Sequence, residues 1–110
     1  MCIRDSSYLN EYGQLFWTQQ DWDFFNQLSS INNQSEVVER GIAYYNQNTD
    51  RFVSDYAPTS AAEDIAESFT EFIVREQVAE NRIKEQKINF FYQYPELVEY
   101  RSWLRSRIQL

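Results

Sequence analysis

The chain is expected to fold as an all-α protein. Apolar residues recur every three or four positions in its longest ordered stretches, Pro and Ser/Asn-rich runs fall between those stretches, and no segment alternates apolar and polar residues as a half-buried strand would. The clearest case is residues 60–74, where Ile65, Phe69, Phe72 and Ile73 form one apolar face. Ser60 followed by Glu63 is an S-x-x-E capping box that starts this helix.

The other elements follow in order. Residues 7–17 read as a short helix or turn anchored by Tyr8, Tyr12, Phe16 and Trp17, and residues 21–28 as a second aromatic segment with Trp22, Phe24 and Phe25. The Ser/Asn-rich run 29–35 is a loop. Residues 35–47 form a helix whose stripe is Val37, Val38, Ile42 and Tyr45. Residues 51–60 are extended or irregular, because the residue before Pro58 avoids the helical region. Helix resumes over residues 76–90, joined to the preceding one or after a break, with Val78, Ile83 and Ile88 inward. Pro95 suits the first turn of a last helix over 96–108, with Leu97, Val98, Trp103, Leu104 and Ile108 on its inner side.

Composition bounds the function. The 110 residues suffice for one domain, and 43% hydrophobic content supplies a core, although so short a chain buries a modest share of its surface. No run of 18 apolar residues exists to span a bilayer as a helix. There is no histidine, which excludes a catalytic triad or a histidine metal site built from this chain alone. The single cysteine, Cys2, permits neither an internal disulfide nor a cysteine zinc site. Net charge is −7: residues 1–74 hold 3 basic and 12 acidic side chains, residues 75–110 hold 7 and 5. That balance argues against a nucleic-acid surface, and the small basic excess of the tail reads as a solvated helix face of mixed charge.

One constellation carries chemistry. Glu63 and Glu67 are four apart on the helix and share a face, flanked by Ala66, Thr70 and Val74, while Asp64 and Glu71 lie further round, toward water. Tyr56 stands just ahead of the helix start. Each residue also has a plain reading: Glu63 as the acidic member of a cap, Glu67 as a solvated carboxylate, Tyr56 as a packing tyrosine. The pair does not suit glycoside hydrolysis, because carboxylates one turn apart on one helix flank no bond between them.

The run YAPTSAAEDIAESF, from Tyr56 to Phe69, resembles the third-ligand helix of gluzincin zinc metallopeptidases, in particular the anthrax lethal factor-like catalytic domains and a bacterial group of zinc-binding metallopeptidases. In that family a tyrosine precedes a T-[NS]-x-x-E motif, the glutamate binds zinc, and an acidic residue follows four later. The resemblance therefore implies Glu63 as a zinc ligand, Glu67 as a carboxylate that orients a ligating histidine, and Tyr56 as a donor to the oxyanion of the transition state. The tail KINFFYQYPELVEYRSWLRSRI is similar to the closing helix of the bacterial group, and SYLNEYGQLFW to the stretch that follows the family's metal helix. It implies zinc as cofactor of the intact parent, a peptide or protein substrate, and an exported or cell-envelope bacterial protein.

The family's HExxH helix, which carries two zinc ligands and the general base, has no counterpart here. Residues 1–6 resemble translated adapter sequence, a non-native leader, so residues 7–110 are expected to be the C-terminal helical part of a metallopeptidase domain. An incomplete domain should leave an apolar or aromatic patch exposed near Ala66, Thr70 and the first two segments. The alternative is a non-catalytic helical module whose aromatic faces dock a partner. A carboxylate-only metal tail is weaker, since the acidic residues lack calcium-loop spacing. One glutamate does not hold zinc, so this chain as it stands is expected to bind zinc weakly and to cleave no peptide. Zinc titration calorimetry checks this; a submicromolar site would overturn it.

Overall fold

The structure, a computed structural model, describes residues 6–109. Residues 1–5 of the expected leader, Cys2 among them, lie outside the described residues. The chain runs through α1 (Ser6–Phe16), α2 (Gln19–Ser29), α3 (Gln34–Asn46), a 3-10 turn (Ala57–Thr59), α4 (Ala61–Val74), α5 (Ile83–Asn89), a second 3-10 turn (Phe90–Gln93) and α6 (Pro95–Ile108). No strand occurs among the described residues, so the all-α class holds.

Local chemistry sets the helix starts. Thr18 begins α2 with a full capping box: its hydroxyl accepts from the Asp21 amide at 3.2 Å, and the Asp21 carboxylate accepts from the Thr18 amide at 3.0 Å. Asn33 caps α3 through the Glu36 amide. That helix thus opens at Gln34, ahead of the expected Ser35, because an asparagine side chain caps as well as a serine does. Ser60 caps α4 by accepting from the Glu63 amide at 3.0 Å, the serine half of the capping box expected from its spacing.

The fold centres on α4, which contacts α1, α5, α6 and the first 3-10 turn. Its Ile65, Phe72 and Ile73 are buried. Around them Tyr12, Phe16, Trp17, Phe69, Phe90 and Phe91 meet mostly edge to face, with centroids near 5–6 Å, the arrangement that ring quadrupoles favour. Two glycines allow close approaches. A Cβ on Gly13 would lie 2.5 Å from the Trp17 ring, and one on Gly41 would lie 2.6 Å from the Thr59 methyl, so α3 rests directly on the first 3-10 turn.

Several expectations change once the helices pack. In α3, Tyr44 and Gly41 face the core, while Ile42 is exposed. Tyr44 turns inward because its ring stacks on Phe24 at 4.0 Å and its hydroxyl reaches Asp21. The helix expected over 76–90 is broken and resumes only at Ile83. On α6, Leu97 is buried, but Trp103 and Ile108 are more than half exposed. Part of the basic tail is likewise turned inward. Arg101 donates to the Phe72 and Arg75 carbonyls at 2.7 and 2.6 Å, and Arg105 donates to the Ile73 carbonyl at 2.9 Å. These are carbonyls of the last turn of α4 and of its C-cap residue, which have no acceptor role left inside a helix end and favour a cation beside them. Two arginines that read as solvated surface therefore cap α4 and end it at Val74.

The largest departure is Asp64. Expected on the water side, it is fully buried, as is Lys87 of α5, and the two pair at 2.9 Å inside the aromatic core. The reason is that Asp64, Ser68 and Phe72 repeat every fourth residue and form one inward stripe. Breaking a buried pair leaves an uncompensated charge, at about 3–5 kcal/mol. Lys87→Met should lower stability by that order in urea denaturation, and adding Asp64→Leu to it should recover part of the loss.

Candidate functional site

The segment from Ser54 to Glu67 is fixed by short side-chain bonds. Thr59 folds back so that its hydroxyl donates to the Tyr56 carbonyl at 2.8 Å, and its amide donates to the same oxygen at 3.1 Å. Ser60 then caps the Glu63 amide. Ser54 accepts from the Ala57 amide at 3.2 Å and donates to Glu67 Oε1 at 2.8 Å. Ala57, Pro58 and Thr59 are buried, so the turn that carries Tyr56 is packed down on the core. Tyr56 itself is exposed, and Glu63 and Glu67 are half-buried on the face of α4 next to the Asp64 stripe.

The three expected residues lie within residues 56–67, and each is tied to its own neighbours. Thr59 links Tyr56 to the turn, Ser60 links the turn to Glu63, and Ser54 ties Glu67 back to the residues ahead of Tyr56. The Ser54–Glu67 bond had no signal in the sequence, since it joins residues 13 apart across an irregular loop. Along the same face Ala66 is half-buried, while Thr70 and Val74 are exposed. Leu15 and Trp22 of the first two helices are exposed as well.

Beneath α4 lies a polar cluster that spacing missed. Asp64 Oδ2 accepts from Trp17 Nε1 at 2.7 Å and from Lys87 Nζ at 2.9 Å. Tyr12 shares a 2.8 Å hydrogen bond with Ser68 and is fully buried. Burial pushes the Asp64 carboxyl up and the Lys87 ammonium down, each opposed by the attraction of the other. Burial and the Asp64 charge push the Tyr12 phenol well above its ordinary value. The only sequence clue was an aspartate and a serine four apart on the apolar face.

A second cluster joins α2, α3 and the loop after α3. Arg51 grips both oxygens of Asp21, and Tyr44 donates to Asp21 Oδ1 at 2.5 Å. Burial and the Asp21 carboxylate push the Tyr44 phenol up to about 12. These groups support structure and present no reacting atom to solvent.

Among the described residues no three His, Cys, Asp or Glu side chains gather around one point. Glu63 offers a single ligand where a catalytic zinc needs three protein groups, so the residues present do not by themselves fit a zinc ion. Two clefts lie elsewhere. One of about 320 Å³ is lined by Leu15, Phe16 and Phe90 among others, and one of about 250 Å³ by Glu11, Gln14, Leu15 and Gln93. Compared with known proteins, the chain matches no family model, no curated protein and no solved structure.

The Asp21 cluster gives a pH signature. Burial alone would raise the Asp21 carboxyl, but Arg51, Tyr44 and the Thr18 amide outweigh it and hold it below its ordinary value. The folded state then binds fewer protons than the unfolded one, so this stabilisation is complete above the ordinary carboxylate range of about pH 4 and is lost as pH falls through the depressed value. Asp21→Asn should be clearly less stable than the parent at neutral pH, with the gap shrinking below about pH 4 in parallel urea melts.

Proposed function

We propose that this chain is the C-terminal helical part of a zinc metallopeptidase and contributes the third metal ligand, Glu63, from α4. What supports the reading is the linkage of Tyr56, Thr59, Ser60 and Glu63 through the Thr59–Tyr56 and Ser60–Glu63 hydrogen bonds. The threonine and serine of the T-[NS]-x-x-E pattern act there as struts between a tyrosine and a glutamate. A ligand set on a rigid helix, with a donor held at a fixed offset, is what a metal-assisted hydrolase requires. Within this reading Ser54 holds the Glu67 carboxylate one turn below Glu63, where it orients a histidine contributed by another part of the parent protein. The Tyr56 phenol faces solvent at 38% exposure, open to a substrate. The parent acts on a peptide or protein, and no step is assigned to this chain alone.

The second reading, a helical module that docks a partner, draws on the exposed Leu15 and Trp103, at 66% and 52%. Sequencing the gene upstream separates the two. The metallopeptidase reading expects an in-frame HExxH within some tens of codons; an ordinary start codon with no such motif overturns it. In the longer protein Glu63→Gln should lose bound zinc, measured by metal analysis. Tyr56→Phe should keep the zinc and lose about 10²–10³-fold in kcat, as removal of an oxyanion donor does elsewhere.

A further inference from the structure

We propose that Lys87 and Asp64 condense to an intramolecular isopeptide bond that staples α5 to α4. The reacting groups are already in contact: Lys87 Nζ sits 2.9 Å from Asp64 Oδ2. Both side chains have zero exposure. The amine lies over the Phe52 ring, 3.9 Å from its centroid, with the Tyr12 ring at 5.9 Å. Contact of this kind removes the entropic cost of bringing amine and carboxyl together, and the aromatic enclosure keeps out the water that would reverse the condensation.

The carboxylate itself is asymmetric. Oδ2 accepts from both Trp17 Nε1 and Lys87 Nζ, whereas Oδ1 is buried with no hydrogen-bond partner. A buried, unpartnered carboxylate oxygen is costly and calls for an explanation. Condensation removes that atom. The ammonium passes a proton to Oδ2, the oxygen it touches, and the amine lone pair attacks Cγ. In the tetrahedral adduct the nitrogen gives a second proton to Oδ1, the Cγ–Oδ1 bond breaks, and Oδ1 leaves as water with the proton held on Oδ2. Oδ2 remains as the amide oxygen, still accepting from Trp17, whose N–H polarises the carbonyl toward attack. The remaining amide N–H faces the Phe52 ring. The buried charges disappear together, so the core exchanges an ion pair with one orphaned oxygen for a neutral amide. The bond would close a loop between residues 23 apart in sequence.

The test is the intact mass of the full chain under denaturing conditions, followed by tryptic mapping. The expected mass is lower than that of the sequence by one water. Because an acylated lysine resists trypsin, Lys87 should remain uncleaved within peptide 85–101, joined to peptide 52–75, which contains Asp64. Lys87→Arg should show the full sequence mass and separate peptides. The parent protein at full sequence mass, after folding is verified by circular dichroism and the sample is held at neutral pH for days, overturns the proposal. So does a one-water deficit without the joined peptide, which would place the dehydration elsewhere.

Discussion

The contact between Asp64 and Lys87 governs more of this molecule than any other pair. Two opposite charges sit at zero exposure, where desolvation disfavours each of them, and what makes the arrangement tolerable is the shell around them. Trp17 donates from the end of α1, Phe52 offers its ring face from the loop before the first 3-10 turn, and Lys87 arrives from α5. Three separate parts of the chain thus converge on this pair. Because successive residues on a helix are turned by a fixed angle, pinning Asp64 inward also decides where its neighbours point. Glu63 and Glu67 are carried to the neighbouring face of the helix by the same constraint that buries Asp64.

The far end of α4 is secured differently. Arg101 and Arg105 of α6 bond its terminal carbonyls, so one helix is stopped by the side chains of another. This use of the basic tail explains an apparent mismatch. The cations of residues 75–110 look like a solvated surface in composition, yet two of them bond backbone oxygens at the end of α4. Asp21 does similar work for α2 and α3, serving at once as helix cap, ion-pair partner and phenol acceptor.

The proposed site draws on both ends of this scheme. Tyr56, Glu63 and Glu67 were legible one by one, since a tyrosine, a capping serine and two glutamates at fixed offsets can be read from the letters. Their support was legible only in part. The Ser60 cap follows from local spacing, because it joins residues three apart. The Ser54–Glu67 bond crosses an irregular loop whose path is set by the burial of Phe52 and Ala57, and no periodicity encodes that.

By itself the sequence determined the all-helical class, the α4 start at Ser60 and the α6 start at Pro95, because each depends on bonds and sterics within a few residues, whereas the residues around Pro58, expected to be extended or irregular, form the 3-10 turn Ala57–Thr59 closed by the Thr59 bonds to the Tyr56 carbonyl. It also determined that no histidine chemistry resides in these residues. Only the tertiary structure decided that Asp64 is core, that Tyr44 and not Ile42 turns inward, and that Trp103 stays in solvent. Those outcomes depend on partners 20 or more residues away, Lys87 and Trp17 for Asp64, Asp21 and Phe24 for Tyr44. A polar side chain is buried when a distant donor meets it, and helical periodicity records nothing about distant donors.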